Sequence, residues 1–319
     1  MEIATAAAAP ELMRLANETR AFLIAAKAES TLRAYRTDWE HFQAWCRRHA
    51  LSSLPAKPET VALYITDLAA SHKPATLRRR LTVIGRAHQA GGYPSPASMQ
   101  EALVSETLKG IRRTLGTAQV GKRPLSTGEL LAMINALPGT LQGARDRALL
   151  LIGFAGGFRR SELADLQAAD LAVENDGLVI VLRRSKTDQE GQGRKVAIPY
   201  GSHPDTCPVR AYREWLGAAA ITDGPVFREI DRHGRVQKKH LHKDSVGMIV
   251  KRAAARAGLD PAEYAGHSLR AGLATQAYLN GANELAIMKQ TGHRSLATVR
   301  KYIRDGSLFR DNAASKLGL

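Results

Sequence analysis

The sequence that decides the fold class is GHSLRAG at residues 266–272, followed by TGHRSLATVRKYI at residues 291–303. His267 and Arg270 are three residues apart, a spacing that places both side chains on one face of a helix. The second segment contains a glycine turn and His293, nine residues before Tyr302. Taken singly, a His-x-x-Arg pair is common on surface helices, and a half-buried tyrosine is usually a core residue. Each segment therefore gains its meaning from its neighbours.

Two further segments with basic residues lie upstream. In GGFRRSEL, residues 156–163, Arg159 follows an apolar helix and a glycine turn, and Glu162 could orient it from one helical turn away. An arginine that complements a helix dipole is the alternative reading of Arg159. In SKTD, residues 185–188, Lys186 lies in the predicted loop of a hairpin, where it could reach into a site or remain solvated.

In this order and spacing, the segments resemble the motifs of the tyrosine recombinase (phage integrase) family, and Cre and Xer recombinases are the nearest types. The resemblance covers nearly the whole chain, because residues 30–42 and 74–81 are similar to the helical N-terminal region of the family. It implies a mainly α fold with a small β-sheet. An all-helical core-binding domain would precede an α+β catalytic domain.

Hydrophobic periodicity predicts the same organisation of the chain. Residues 1–115 are predicted to form a helical domain with a loose, poorly ordered lead-in and helices over 30–49, 61–71, 76–90 and 101–115. Residues 116–124 (GTAQVGKRP) are polar and contain glycine and proline, which predicts a linker. The P-loop spacing within this linker lacks both a preceding strand and the Ser/Thr that binds magnesium, which favours coincidence.

Residues 125–319 are predicted to be the catalytic domain. Ser126 and Glu129 form a capping box, and an apolar helix follows over 143–158. The β-rich runs 178–182 and 195–198 predict a hairpin, with a third strand over 224–227. Helices are then predicted over 241–257, 267–280, 284–291 and 295–303, and from 307 to the C-terminus. The last could pack on a neighbouring protomer, as the family resemblance implies, or within its own chain.

The charge of the chain points to a polyanionic partner. Lys and Arg number 46 against 30 Asp and Glu, so the formal net charge is +16. The surplus is divided equally between residues 1–123 and 124–319, which fits two basic domains that enclose a double-stranded DNA. Cys46 and Cys207 are too few for a disulfide framework, and no apolar run approaches the ~20 residues of a membrane helix. We expect a cytoplasmic protein, associated with the nucleoid through DNA, with no membrane partner.

The predicted site residues can break a phosphodiester without a metal or another cofactor, since they include a nucleophile, cations and proton donors. Tyr302 would be the nucleophile, with its phenolate favoured by Arg300, Lys301 and Arg304. Arg159 and Arg270 would hold the non-bridging oxygens, with Glu162 supporting Arg159. We assign His267 as the base, His293 as a hydrogen-bond donor to a phosphoryl oxygen, and Lys186 as the acid for the 5′ oxygen. The resemblance implies a 3′-phosphotyrosine link and a homotetramer acting on two DNA sites.

DNA contacts are predicted on exposed helix faces. By similarity to Cre, the helix that begins near Thr76 enters the major groove, where Arg79 and Arg80 would also read bases. A second group of residues precedes and opens the helix from 241 and is predicted to contact phosphates or bases: Lys239, His240, His242 and Lys243. His240 and His242 lack further matched ligands, so we predict no metal site.

Three functions remain open from the sequence. The first is a DNA strand-exchange recombinase. The second is a type IB topoisomerase, which shares the tyrosine chemistry without pairing two sites. The third is an architectural or regulatory DNA-binding protein that has lost catalysis. The complete set of site residues argues against the third.

Overall fold

The computed structural model describes residues 3–117, 121–183, 193–306 and 317. The chain divides into two compact units, Met1–Val120 and Gly121–Leu319. The structure is mostly helical with small sheets, which confirms the predicted fold class. Within the described residues, the structure contains no helix of the length and apolar character that a membrane span requires.

The first unit is all-helical. Its core is formed by side chains such as Phe42, Trp45, Tyr64, Leu77 and Ile84. Proline opens two of the helices at their first position, where its missing N–H costs nothing. The helices are α1 (Ile3–Ala25), α2 (Glu29–Arg48), α3 (Pro58–Ala69), α4 (Pro74–Ala90) and α5 (Ala102–Leu115).

The first helix corrects the sequence prediction. A loose lead-in was expected over residues 1–15, with about the first ten poorly ordered, but α1 begins at Ile3 and continues to Ala25. Alanine has the highest intrinsic helix propensity, so the Ala-rich start favours a helix although it has no apolar stripe. The four helices predicted after it are confirmed to within a few residues at their ends.

The second unit mixes helices with two small sheets. Ser126 and Glu129 form the predicted capping box at the start of its first helix. Its α-helices and strands are α6 (Thr127–Asn135), α7 (Leu141–Gly156), α8 (Arg160–Ala164), β1 (Leu171–Glu174), β2 (Gly177–Leu182), β3 (Arg194–Pro199), α9 (Pro208–Ala218), β4 (Arg228–Ile230), β5 (Val236–His240), α10 (Lys243–Arg256), α11 (Gly266–Leu279), α12 (Glu284–Thr291) and α13 (Leu296–Gly306).

The predicted hairpin is confirmed, because β2 and β3 pair antiparallel with Leu178 opposite Ile198. The third strand predicted over 224–227 is wrong. Pro225, which lacks an N–H, makes only an isolated bridge with Gln167, and the strand starts later, at Arg228. The strands β1 and β5 and the helices α8 and α9 were not predicted. The helix predicted from residue 307 lies outside the described residues.

Close packing between α7 and α11 positions the residues discussed below. A Cβ added to Gly272 would lie 2.2 Å from the carbonyl oxygen of Leu125 and 2.8 Å from the ring of Phe154. A Cβ on Gly153 of α7 would lie 2.9 Å from Leu269. These approaches exclude larger side chains, so α11 lies directly against the buried helix α7. Arg270 of α11 therefore lies at the C-terminal end of α7, next to Gly157.

Candidate active site

Tyr302 and His267 are in direct contact, although 35 residues separate them in the chain. The hydroxyl of Tyr302 and Nε2 of His267 are 2.8 Å apart. Helix α13 is held against α11 by its buried residues Val299 and Ile303 and by a 3.0 Å hydrogen bond from Thr275 Oγ1 to the carbonyl of Tyr302. The tyrosine is therefore fixed at both its side chain and its backbone.

Arg270 is buried beneath this pair, with an exposed fraction of 1%. Its Nη1 donates to the carbonyl oxygens of Gly157 at 2.6 Å and Thr291 at 2.5 Å. Its Nη2 is buried and has no hydrogen-bond partner among the residues that the structure describes. A buried donor without a partner is costly, so this nitrogen is suited to an anionic ligand.

Arg159 is oriented by Glu162. Nη1 of Arg159 donates to Oε1 of Glu162 at 2.6 Å, and the Arg159 backbone N–H donates to Oε2 at 2.9 Å. The carboxylate is almost fully buried, whereas the Arg159 side chain keeps 18% of its surface exposed. The guanidinium therefore has a fixed direction and remains accessible from solvent.

His293 follows the turn that ends α12. Gly292 ends this helix in the left-handed conformation with φ +65, and Oγ1 of Thr291 lies 2.7 Å from Nδ1 of His293. The same hydroxyl donates to the carbonyl of Ile287 at 2.6 Å. Because a hydroxyl has one hydrogen, we assign the imidazole proton to Nδ1, which leaves a lone pair on Nε2. The rings of His293 and Tyr302 are 5.5 Å apart.

Burial and the arginines keep both histidines neutral. Desolvation, followed by the charges of Arg270 and Arg159, lowers the pKa of His293 to about 3. Desolvation and the same two arginines also lower the pKa of His267 below its ordinary value. Desolvation lowers the pKa of Arg270 to about 10, at which it is still a cation at neutral pH. His267 is therefore an unprotonated acceptor for the hydroxyl of Tyr302.

The electrostatics of Tyr302 correct the sequence prediction. Desolvation raises the pKa of Tyr302, while Arg270 and Arg159 oppose this shift. Arg300, one of the three helix neighbours expected to favour a phenolate, instead makes a salt bridge of 3.0 Å with Glu284. In the protein alone Tyr302 is therefore a neutral phenol, and the cations that shift its pKa, Arg270 and Arg159, lie outside α13.

Arg194 was missed by sequence reasoning, which identified the β3 strand only by its apolar residues. Its side chain is 20% exposed, and its Nη2 lies 3.7 Å from Oε2 of Glu162. Nη1 donates to the carbonyl of Gln290 at 2.8 Å. Arginine at the end of a hairpin is ordinarily solvated, so no local signal in the sequence marks it as a buried cation. Lys186, predicted to reach the site from the same hairpin, lies outside the described residues.

The predicted DNA-reading residues of α4 are not equivalent. Arg80 is only 8% exposed and donates to the hydroxyl of Tyr64 at 2.7 Å, which contradicts the exposed position predicted for it. Arg79 makes two hydrogen bonds with the buried carboxylate of Asp38, at 2.7 and 3.0 Å. Thr76 is half-buried. A cation at the centre of three packed helices needs internal partners, and this requirement directs Arg80 inward.

Other cations surround the start of α4. A cavity of about 310 Å³ in the first unit is lined by Lys73, Arg78 and Arg112, none of which was predicted to contact DNA. In the second unit, the predicted DNA-binding residues are exposed, and they lie on β5 and at the start of α10. His242 caps that helix, where its Nδ1 accepts from the backbone N–H of Asp244 at 3.3 Å. These four residues are Lys239, His240, His242 and Lys243.

Comparisons with known proteins show the family of this chain. The model of the phage integrase family matches residues 124–307, which is more than half of the chain. An "Integrase/recombinase xerD homolog" of Selenomonas ruminantium is 42% identical over 308 residues, covering 95% of this chain and 90% of that protein. A "Tyrosine recombinase XerD" of Xanthomonas axonopodis pv. citri (strain 306) is 35% identical over 170 residues, covering 51% of this chain and 52% of that protein.

Solved structures show the same fold. The XerH site-specific recombinase bound to a palindromic difH substrate, in a post-cleavage complex, matches with a TM-score of 0.61 at 21% identity, covering 81% of this chain and 72% of that one. A lambda integrase dimer bound to a COC′ core site matches with a TM-score of 0.59 at 18% identity, covering 91% of this chain and 94% of that one.

The fold and the site define a tyrosine recombinase. This chain belongs to the phage integrase family. Among the relatives named above, those identified by sequence are of the XerD type.

Proposed function

We propose that the protein is a site-specific DNA recombinase that cleaves and rejoins DNA through a 3′-phosphotyrosine link at Tyr302. The observation that carries this proposal is the 2.8 Å contact between the Tyr302 hydroxyl and a neutral His267, beside the buried Arg270. A nucleophile, a base and cations for a phosphoryl group therefore lie at one place. The recombinases and integrases among its relatives support the reaction class.

Cleavage would begin with attack of the Tyr302 oxygen on the scissile phosphorus. Its proton passes to Nε2 of His267, and the bond from phosphorus to the 5′ oxygen breaks as the bond to tyrosine forms. Arg159 and Arg270 stabilise the charge on the non-bridging oxygens. Lys186 donates the proton that the leaving 5′ oxygen needs. The phosphotyrosine retains the bond energy, so rejoining by a 5′ hydroxyl requires neither ATP nor a metal.

Binding of a phosphate would change the state of His293. Its Nε2 bears a lone pair in the assigned tautomer, so neutral His293 cannot donate to a phosphoryl oxygen. A phosphate beside it favours the imidazolium, in which both ring nitrogens are donors. The donor role predicted for His293 therefore requires a proton on Nε2 when DNA binds, supplied by protonation of the ring or by exchange of its tautomer.

The wider assembly follows the same proposal. Two basic units would grip the backbone of double-stranded DNA, with Arg79 and Thr76 on α4 and the exposed residues at the start of α10 as contacts. Lys73, Arg78 and Arg112 are added to this set because they line one cavity in the first unit. A homotetramer would bring two DNA sites together for strand exchange. The protein would be located in the cytoplasm and associated with the nucleoid through DNA.

A suicide substrate tests the proposal. DNA that the protein binds is first selected from a random pool, and the recovered site is then nicked near the cleavage point, so that the cleaved fragment diffuses away and the adduct persists. We expect the wild-type protein to form a covalent complex that resists denaturant, and Tyr302→Phe to bind the same DNA without forming it. The absence of an adduct across all recovered sites would refute the proposal. Relaxation of plasmids without a recovered site would favour a topoisomerase instead.

A further inference from the structure

The candidate active site contains more positive charge than its internal carboxylate can balance. Arg159, Arg194 and Arg270 surround the same buried region, and Glu162 is the carboxylate that favours the charged forms of Arg194 and Arg270. Its Oε1 and Oε2 accept from Arg159, and Oε2 lies 3.7 Å from Nη2 of Arg194. Burial of unbalanced charge is expensive, so each guanidinium that is retained there needs a reason.

The contacts of Arg194 connect three separate elements. From the first residue of β3, Nη1 donates to the carbonyl of Gln290 in the last turn of α12. The side chain of Gln290 in turn donates to the carbonyls of Ala155 and Ala197, at 3.0 and 3.1 Å. A Cβ on Gly292 would lie 2.6 Å from Nε of Arg194. The guanidinium therefore lies directly against the turn that leads into His293.

We propose that Arg194 is a positioning residue of this site, which holds the turn that carries His293 and shares Glu162 with Arg159. This inference rests on the recombinase function proposed above. Arg194 acts through these neighbours, whereas Arg159 and Arg270 would touch the phosphate. Its Nε and Nη2 are buried without a hydrogen-bond partner among the described residues, so its retention is not explained by a saturated hydrogen-bond network.

The positive charge of Arg194 also affects its neighbours. Desolvation lowers the pKa of Arg194 itself, an effect that Glu162 partly offsets. Its charge is one of the causes that lower the pKa of His293 and of Arg270. The titratable groups that face His293 in the described part of the chain are Arg270 and His267 of α11, Arg159 before α8, Arg194 of β3 and Tyr302 of α13.

Two substitutions separate the charge of Arg194 from its shape. Arg194→Gln removes the charge, and Arg194→Lys keeps the charge but not the planar fork that reaches Gln290 and Glu162 together. Arg147→Gln is the matched control, because Arg147 also joins a carbonyl, that of Asp205, to a carboxylate, that of Glu214. Three quantities are measured for each variant: DNA affinity, the rate of covalent complex formation on the nicked substrate, and the NMR titration of His293 without DNA.

We expect Arg194→Gln to slow covalent complex formation by on the order of 10- to 100-fold, the scale for a misplaced reacting group, with DNA affinity unchanged. The His293 titration should move to higher pH in this variant and stay near the wild-type position in Arg194→Lys. Arg147→Gln should match the wild type in all three quantities. A purely structural residue would not shift the titration of His293 in a charge-dependent way.

A wild-type cleavage rate in Arg194→Gln would overturn the inference, and so would an unchanged His293 titration. Should Arg194→Gln fail to fold, Arg194→Lys decides the question: slower cleavage with wild-type DNA affinity supports the inference, and a wild-type rate refutes it. The two proposals fail separately. A wild-type protein that forms no adduct refutes the recombinase proposal, whereas the His293 titration tests Arg194 without DNA.

Discussion

Replacement of Gly292 by alanine measures how tightly the turn between α12 and α13 is packed. Gly292 has φ +65, and an L-residue in this left-handed region costs about 1–2 kcal/mol. The added Cβ would also lie 2.6 Å from Nε and 2.9 Å from Cζ of Arg194, a contact that must be relieved. Overpacking of this kind costs about 1–3 kcal/mol. Gly292→Ala should therefore lower the free energy of unfolding by about 2–5 kcal/mol.

Gly258 supplies the matched control. It follows α10 with φ +74, and the described residues place no heavy atom within 4 Å of a Cβ built there. Gly258→Ala should therefore lower the free energy of unfolding only by the backbone cost of about 1–2 kcal/mol. Urea unfolding of both variants gives the two values, and their difference of about 1–3 kcal/mol is the cost of displacing Arg194.

The two variants should also differ in cleavage of the nicked substrate. Displacement of Arg194 by Gly292→Ala should slow covalent complex formation by on the order of 10-fold or more, because the turn carries His293 into the site. Gly258→Ala should cleave at the wild-type rate. Equal losses of stability in both variants, with normal cleavage by Gly292→Ala, would show that the contact between Arg194 and the turn is loose and would refute this reasoning.

Three further predictions concern single side chains. Thr291→Val removes the acceptor of the Nδ1 proton of His293, so covalent complex formation on the nicked substrate should slow by about 10-fold. A DNA-binding titration should show that the affinity of this variant is retained. The folded state binds fewer protons than the unfolded state between the ordinary pKa of His293, 6.5, and its folded value of about 3, so stability should fall as pH falls through this interval. Urea unfolding at several pH values checks this, and His293→Asn should weaken the dependence. Arg80→Met should lower the free energy of unfolding by about 2–3 kcal/mol in a thermal unfolding experiment, because Arg80 is buried with hydrogen bonds to Tyr64 and His41. Arg78 is exposed, so Arg78→Ala should change this free energy by less than about 0.5 kcal/mol. Equal effects of the two substitutions would contradict the burial argument.

Much of the fold could be predicted because its signals are local. The apolar stripes of α2 and α4 and the capping box of α6 depend on residues a few positions apart, and each of these elements is present. Short elements were harder to predict. The helix α8 has five residues, and β5 (VQKKH) is almost entirely polar and exposed, so neither has an apolar period that would distinguish it from a loop.

The candidate site shows the same division. The order and spacing of His267, Arg270, His293 and Tyr302, together with their resemblance to the family motifs, predicted them as site residues. These signals were not enough to name Arg194, because the contacts of this residue with Glu162 and Gln290 join parts of the chain that are distant in sequence. Arg79 and Arg80 are adjacent and chemically identical, yet one is half-exposed and the other buried, since packing of α4 against α2 and α3 gives the two side chains different surroundings.

The sequence by itself determined the helices with an apolar stripe, the mainly α class and the set of residue types that a phosphodiester cleavage needs, since these depend on periodicity and chemical identity. The tertiary structure decided the protonation states of that set. Burial removes water from both side chains, so Tyr302 is a neutral phenol although Arg270 and Arg159 on other parts of the chain favour its phenolate. The same two cations act together with burial to keep His293 a neutral imidazole. Desolvation and charge at a point in space are sums over everything that packs around it, and no single stretch of the chain contains that sum.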